Sequence, residues 1–572
     1  MDSKIINELL GINESYKMPD KLMEILLNDE HRQSFLSKIS EFYDFSIDDF
    51  RDYFQQEQGD RKTLKQDYTP DCLCDLIREL IPQTESILDI CSGTGALTIS
   101  CIKKNENASV YCEELSTRVL PMLLANLALR GVSGFVKNKD VLNNKTEHIY
   151  QLKANGNFSD IKEIDAVDEK KYPCIISNPP YSVQWTQKND GRFDGYELAP
   201  KSKADYAFVL DALSRLTDDG MAFFILPHGV LFRGQAEEKI RKQLILNNVI
   251  DAVIGLPQNM FMNTSIPVFI LVLNKNKSNT DVLFIDASNM FVKDGKVNKM
   301  TEEHIQSIVD IFRQRKTVEN VSAVISATLI QENEFNLNIP RFVCTCEREE
   351  LPPLSEITKD LIRCELEARK AQTELIEMLK DLCGDDGYNR AKDEFIEFFS
   401  EQDIVGETMM LYLELQNLEK KVDYISKHAK KERVPILEIA TFERAKKGKI
   451  YEAGTVYIQC SATDGKVRFL TENKELEAKY GVFVPKNKNI CARFLFYALE
   501  YEMDEFLTRY QCGMNINPDI FKHLQVTYYH EYKYRKELAM TLDGIEARCA
   551  KEEQKMGDFQ NFKKFHLDGM FV

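Results

Sequence analysis

Ser86-Ile-Leu-Asp89-Ile-Cys-Ser-Gly93-Thr-Gly95-Ala-Leu-Thr98 runs an apolar stretch into an acidic residue, then two closely spaced glycines, then a helix-forming segment. Read as a strand turning tightly into a helix, it puts Asp89 at a strand end and lets the backbone at Gly93 and Gly95 approach a ligand. Gly-x-Gly alone is weakly specific and suits a dinucleotide equally well. The residues that follow narrow the reading. A second hydrophobic strand, Ala108-Ser-Val-Tyr-Cys, ends at Glu113-Glu114, where an acidic side chain usually takes the ribose hydroxyls of an adenosine. A third, Gly134-Phe-Val-Lys-Asn, ends at Lys139-Asp140 and offers a carboxylate to an adenine amino group. A fourth, Tyr172-Pro-Cys-Ile-Ile, runs into Ser177-Asn178-Pro179-Pro180-Tyr181. Strand ends of this kind line the ligand-binding edge of an open α/β sheet.

The fourth strand end has its own chemistry. Two consecutive prolines fix φ and remove two N–H donors, so the backbone is stiff and its carbonyls point outward. Asn178 adds an amide oxygen and Tyr181 a flat amphipathic ring. Two acceptors beside a stacking face suit a planar base whose exocyclic NH2 needs both protons accepted. An isolated Asn-Pro-Pro-Tyr reads equally as a rigid turn bearing a tyrosine. The three acid-tipped strands before it favour the base.

The chain has 572 residues, 43% hydrophobic and 29% charged, which allows two to four domains of an ordinary globular kind. No run of about 18 apolar residues occurs and the first 20 residues lack a signal-peptide core, so a cytoplasmic location is expected. The 14 cysteines are scattered; Cys72-Leu-Cys74 and Cys344-Thr-Cys346 lack zinc spacing, so they read as reduced thiols with no metal site. The net charge of −17 argues against a non-specific nucleic-acid coat. Residues 434–535, with 15 Lys and Arg against 13 Asp and Glu, are the part better suited to face DNA.

Residues 1–60 read as a small helical cap, and Tyr68-Thr69-Pro70 precedes an amphipathic helix for which Thr69 or Asp71 is the expected N-cap. Between 205 and 275, helices and buried strands alternate as in a doubly wound sheet. His228 follows a strand and reads better as a turn or phosphate-contacting residue than as a catalytic one. Phe261 reads either as a second wall of a base pocket or as core. Residues 346–432 form a helical connector whose apolar stripe calls for packing on another helix. From Val434 the pattern turns to short β-like segments, Gly454-Thr-Val-Tyr-Ile, Lys466-Val-Arg-Phe-Leu and Tyr480-Gly-Val-Phe-Val-Pro, in a domain of 433–535. There Arg444-Ala-Lys446-Lys447-Gly-Lys449 is either a solvated turn or a phosphate contact. Glu477-Ala-Lys479 reads as part of a charged helix, and residues 536–572 as a long terminal helix.

Together, Asp-x-x-x-Gly-x-Gly, the following acids and Asn-Pro-Pro-Tyr, preceded by a Thr-Pro element, resemble the S-adenosylmethionine-dependent amino-methyltransferases in their γ order. Lys203-Ala-Asp205-Tyr-Ala-Phe208, Leu226-Pro-His-Gly-Val-Leu-Phe-Arg-Gly234, Ile254-Gly-Leu-Pro257 and Asn336-Leu-Asn-Ile-Pro-Arg341 resemble the modification subunit of type I restriction systems over about 61–345. Tyr181 departs from the phenylalanine most frequent in that subunit. The part after 433 resembles one half of a type I specificity subunit. The resemblance implies a Rossmann-like α/β methyltransferase sheet with a C-terminal α+β target-recognition domain. It implies a restriction-modification enzyme that methylates a flipped adenine at N6, using Asn178, Pro179, Pro180 and Tyr181. Tyr68, Thr69, Asp89, Gly93, Gly95, Glu114, Asp140 and Asn178 would then hold S-adenosylmethionine, with Glu114 preferred to Glu113. Its partners would be double-stranded DNA, a second copy of the chain and a separate restriction subunit. Other amines (cytosine N4, an RNA, a glutamine side chain) and a non-catalytic DNA-binding subunit are the alternatives.

Overall fold

In the computed structural model, the four strand candidates lie side by side at the centre of one eleven-stranded sheet. The structure describes residues 3–51, 53, 68–262, 264–343, 354–400, 417, 420–422, 424–511 and 515–547. The chain divides into two units, Met1–Thr345 and Cys346–Val572.

The sheet of the first unit runs from β1 to β13, with β11 (Val292–Asp294) and β12 (Val297–Lys299) set aside as a separate hairpin. Its parallel core is β3 (Gly134–Asp140), β2 (Ser109–Glu114), β1 (Ser86–Ile90), β6 (Tyr172–Ser177) and β7 (Leu216–Pro227), in that order. Beyond β7, the antiparallel β9 (Val268–Asn274) separates it from β8 (Ile250–Gly255), and β10 (Val282–Asp286) and β13 (Ser322–Ile325) complete that side. A hairpin of β4 (Lys145–Asn155) and β5 (Phe158–Ile164) extends the other edge. From β1 the chain first builds outward through β2 and β3, then returns to place β6 on β1's other side. That reversal opens a crevice at the strands' C-terminal ends. Register aligns its contents: Ile90 lies opposite both Glu113 and Ser177.

Every residue of β1 is buried, as a central strand covered on both faces must be. Alternate side chains feed two cores. Leu88, Ile90, Ile175 and Phe224 pack with Tyr206, Leu210 and Leu244 of the helices Asp205–Arg215 and Ala236–Leu246. Ile87, Cys174, Ile176 and Phe223 pack with Leu73, Ile77, Leu97 and Ile308 of the helices Asp71–Leu80, Ala96–Ile102 and Glu302–Gln314. The N-terminal helices Ser3–Leu10, Met18–Leu27 and Asp29–Ser40 share a third core with the helix Leu120–Leu129, which is buried at every position. Such an all-round apolar helix needs cover on both sides.

In the second unit, helices span Leu354–Lys380 and Asp386–Ser400. A four-stranded sheet of Ala440–Arg444, Tyr480–Pro485, Val456–Gln459 and Val467–Phe469, in that order, shares a core with Leu495, Leu499, Met503 and Phe506 of the helix Ala492–Tyr510. The terminal helix is described from 532 to 547, and its expected continuation lies outside the described residues, as does most of the connector between 401 and 423. Two local readings differ from the structure. The helix begins at Asp71 with Pro70 at the N-cap position, so neither Thr69 nor Asp71 caps it. Glu477-Ala-Lys479 forms the turn into the strand Tyr480–Pro485 rather than a helix. Among the described residues no helix is long and apolar enough to cross a membrane.

The β2–β3 pairing rests on one close approach. A Cβ at Gly134, where φ is +152°, would lie 1.7 Å from the Val110 carbonyl oxygen. Gly134→Ala is expected to cost about 3 kcal/mol or more, read as a lowered urea midpoint. An unchanged midpoint would contradict that approach.

Candidate active site

The crevice is a cleft of about 320 Å³ whose lining joins the glycine turn, the ends of β2 and β3, and Asn178–Tyr181. Gly93 (φ +57°) and Gly95 (φ +97°) turn the chain from β1 into the helix Ala96–Ile102. Side-chain atoms replace missing backbone partners around the turn. Ser92 Oγ donates to the Asp89 carbonyl at 2.8 Å. Glu114 accepts the N–H groups of Gly93 at 2.9 Å and Ser116 at 2.8 Å, which ties β2's end to the turn. Tyr68 lies across the same turn, with its Cε1 4.0 Å from where a Gly93 Cβ would sit.

Three carboxylates are buried here, each in a different state. Asp89 is 1% exposed, and only its Oδ2 is bonded, by Thr98 Oγ1 at 2.6 Å. Its Oδ1 is buried and accepts no hydrogen bond among the described residues. Burial, with the nearby Glu114 charge adding to it, pushes Asp89 up to about 7. Burial likewise raises Glu114. It acts on Glu113 in the same sense, but Arg215 at 2.7 Å and Lys139 at 3.1 Å outweigh it and hold Glu113 below the usual range. Of the two adjacent glutamates, Glu113 is therefore neutralised in an ion cluster, whereas Glu114 is tied only to backbone donors. At the end of β3, Asp140 accepts from the Asn143 N–H and Nδ2. Arg192 donates to the carbonyls of Val141 at 2.6 Å and Leu142 at 3.2 Å, pinning the loop that follows.

The Asn-Pro-Pro-Tyr element is held by side chains distant in sequence. Asn178 Nδ2 donates to Thr69 Oγ1 at 2.9 Å, and its Oδ1 accepts from the Tyr181 hydroxyl at 2.7 Å. Tyr181 meets Phe261 edge-on, ring centroids 6.3 Å apart. Phe261 is itself a core residue behind the lining, packed with Met260 and Leu256. Tyr68, Thr69, Gly93, Glu114, Asp140, Asn178, Pro179, Pro180 and Tyr181 share the cleft wall, as does Glu113, whereas Asp89, Gly95 and Phe261 are not part of that wall.

His228 is a turn residue whose ring contacts the Val268 carbonyl, and burial lowers its proton affinity. The basic run of the second unit is partly spent internally. Arg444 donates to the carbonyls of Lys479 and Ile516, while Glu443 pairs with Lys449 at 2.6 Å and Lys446 at 3.7 Å. Lys447 is exposed.

Sequence reasoning missed Asp48, Asn126 and Arg233. Asp48, from the N-terminal cap, is buried against the glycine turn: it accepts from the Thr94 hydroxyl and from Asn126 Nδ2 at 2.7 Å. Asn126 Nδ2 also donates to the Thr94 carbonyl at 2.7 Å. Burial pushes Asp48 up to about 6. It stood among several acidic residues with nothing to single it out.

Asp89 yields a test. Its raised value means the folded protein gives up stability as pH rises from about 4 toward 7, where Asp89 must ionise without enough donors. Asp89→Asn is expected to unfold at a higher temperature than the parent, by a margin that widens between about pH 4 and pH 7. It should also weaken ligand binding in the cleft roughly tenfold. A pH-independent difference in unfolding temperature would refute the assignment.

The comparisons with known proteins agree with one another. The sequence model of the N-6 DNA methylase family matches residues 38–351, and that of the type I restriction modification DNA specificity domain matches residues 413–546. The chain is 31% identical over 355 residues to the type I restriction enzyme MpnII methylase subunit of Mycoplasma pneumoniae, covering 58% of this chain and 63% of that one. It is 29% identical over 319 residues to the MjaVIII methylase subunit of Methanocaldococcus jannaschii, covering 51% of this chain and 52% of that one. The chain thus spans between half and two thirds of the length of these relatives. Among solved structures, the type I restriction-modification methyltransferase subunit of Streptococcus thermophilus superposes with a TM-score of 0.44 at 35% identity, over 49% of this chain and 60% of that one.

Proposed function

We propose that this chain, which belongs to the N-6 DNA methylase family, is a site-specific DNA methyltransferase acting on the N6 amine of adenine with S-adenosylmethionine as donor. The observation that carries the reading is the convergence of Asn178, Pro179 and Tyr181 with the acid-tipped ends of β2 and β3 in one cleft. When bound, S-adenosylmethionine supplies an electrophilic methyl group. The donor set supports it: Asp89 has a buried acceptor oxygen with no hydrogen bond among the described residues, and Glu114 and Asp140, on the cleft wall, would accept from ribose and adenine donors. Tyr68, Thr69, Gly93 and Gly95 would complete its holding.

The chain's own residues act on the base amine. An adenine reaches the cleft only by leaving the duplex, at roughly a few kcal/mol, part of which stacking on the Tyr181 ring recovers, roughly 1–3 kcal/mol. The Thr69 bond orients the Asn178 amide with its oxygen toward Tyr181. That oxygen has two lone pairs: one takes the Tyr181 hydroxyl and the other an amine proton. The Pro179 carbonyl takes the second proton. Accepting both leaves the nitrogen lone pair less conjugated with the ring, and a rigid acceptor pair supplies orientation without covalent catalysis.

In the same reading, the segment 433–535 contacts the DNA site, with Lys447 the best placed of the basic run. Two copies join through the connector helices to read a two-part site, and cleavage belongs to a separate restriction subunit. Light scattering on a specific duplex should give two copies per DNA; one copy contradicts the pairing.

Asn178→Ala is expected to abolish transfer of tritiated methyl to DNA while leaving calorimetric cofactor binding within about threefold. Tyr181→Ala should lose roughly 100-fold, and Tyr181→Phe, which keeps the stacking face, roughly 10-fold or less. Near-normal turnover in Asn178→Ala removes the assignment. Mass analysis of the modified nucleoside decides the base, and N4-methylcytosine would overturn adenine.

A further inference from the structure

We infer that Arg233 is a positioning residue for the acceptor loop, and that position 229 is glycine so that the Arg233 guanidinium can reach it. The inference rests on the proposed transfer to a base amine.

Ser182, the residue after Tyr181, has φ +51°, a left-handed conformation uncommon for a residue with a Cβ. It reverses the chain just past the catalytic element, and something must hold it there. Its N–H donates to Asp205 Oδ1 at 2.8 Å and its Oγ to Asp205 Oδ2 at 3.3 Å. Asp205 is 0% exposed and is the first residue of the helix Asp205–Arg215, where the helix dipole favours its charge. Arg233 closes the group. Its Nη1 donates to Asp205 Oδ2 and Glu237 Oε1, both at 3.0 Å, and its Nη2 donates to Ser182 Oγ at 3.2 Å. One planar fork therefore bridges two buried carboxylates and the loop, a geometry an ammonium cannot reproduce. The fork lies against Gly229, where a Cβ would stand 2.6 Å from Arg233 Nε and Nη2. The spacing of Gly229 and Arg233 after β7 is thereby explained without any contact to a ligand. Ser182, Asp205, Gly229 and Arg233 are all absent from the cleft wall. Their effect must pass through the orientation of Tyr181, and hence of the Asn178 oxygen its hydroxyl meets.

The test uses the full chain with Arg233→Met, Arg233→Lys, Gly229→Ala and the Arg233→Met/Gly229→Ala pair. Calorimetric affinity for S-adenosylmethionine should stay within about twofold of the parent in each. With a saturating specific duplex, kcat should fall roughly 10- to 100-fold in Arg233→Met and Gly229→Ala. Arg233→Lys should recover only a small part, and the pair should be no worse than the poorer single change, because both remove the same fork. Amide exchange in a peptide spanning 178–186 should rise at least about tenfold in the variants while β1 stays protected. Turnover and exchange near parental values would overturn the inference. So would a parallel loss of cofactor affinity and β1 protection, which marks general destabilisation. A parent chain that binds cofactor but transfers no methyl group would instead strike the proposed function, and the exchange measurement would still decide the role of Arg233.

Discussion

Burying carboxylates at the ends of adjacent parallel strands is costly, and the first unit is arranged around meeting that cost. Asp89, Glu113 and Glu114 are all buried in β1 and β2. A buried charge needs a partner or gives up its ionised form. Glu113 is matched by Arg215 and Lys139, and Glu114 by two backbone N–H groups. Asp89 is matched by a single hydroxyl and is left with an unpaired oxygen. Asp89 Oδ1 and Glu113 Oε2 are both buried with no hydrogen-bond partner among the described residues, but Glu113 has Arg215 and Lys139 beside it and Asp89 has only a hydroxyl.

The acceptor loop obeys a related rule. Its prolines stiffen the backbone but do not aim it, and aiming is done from both sides by residues far off in the chain. Thr69 takes the Asn178 amide N–H on one side, and Asp205 with Arg233 holds Ser182 on the other. The glycine turn is steadied in the same manner, by Asp48 of the N-terminal cap and Asn126 acting on Thr94. The cap thus contributes to the site while also covering the helix Leu120–Leu129.

The strands that build the site could be read from the amino acids because their signals are local. β1 and β6 are apolar runs buried almost throughout, β2 and β3 are shorter apolar runs, and the chain soon after each meets an acid, a glycine or a proline. The same logic failed for β4 and β5, because β4 is mostly polar and exposed and the apolar residues of β5 do not recur at every second position. The helix Ala492–Tyr510 escaped because an acidic residue, Glu502, stands within its otherwise apolar buried face.

The sequence by itself determined the doubly wound sheet, the acid-tipped edge and the chemical character of Asn178–Tyr181, all set by residues within a few positions of one another. Which glutamate is neutralised, where Phe261 stands, and that Asp48, Thr69 and Arg233 bond to the glycine turn and the Asn178–Ser182 loop became visible only in three dimensions. Those outcomes depend on pairs 23 to 109 residues apart in the chain. A hydrogen bond between such residues leaves no period and no composition in the sequence; it exists only once the sheet has brought the partners together.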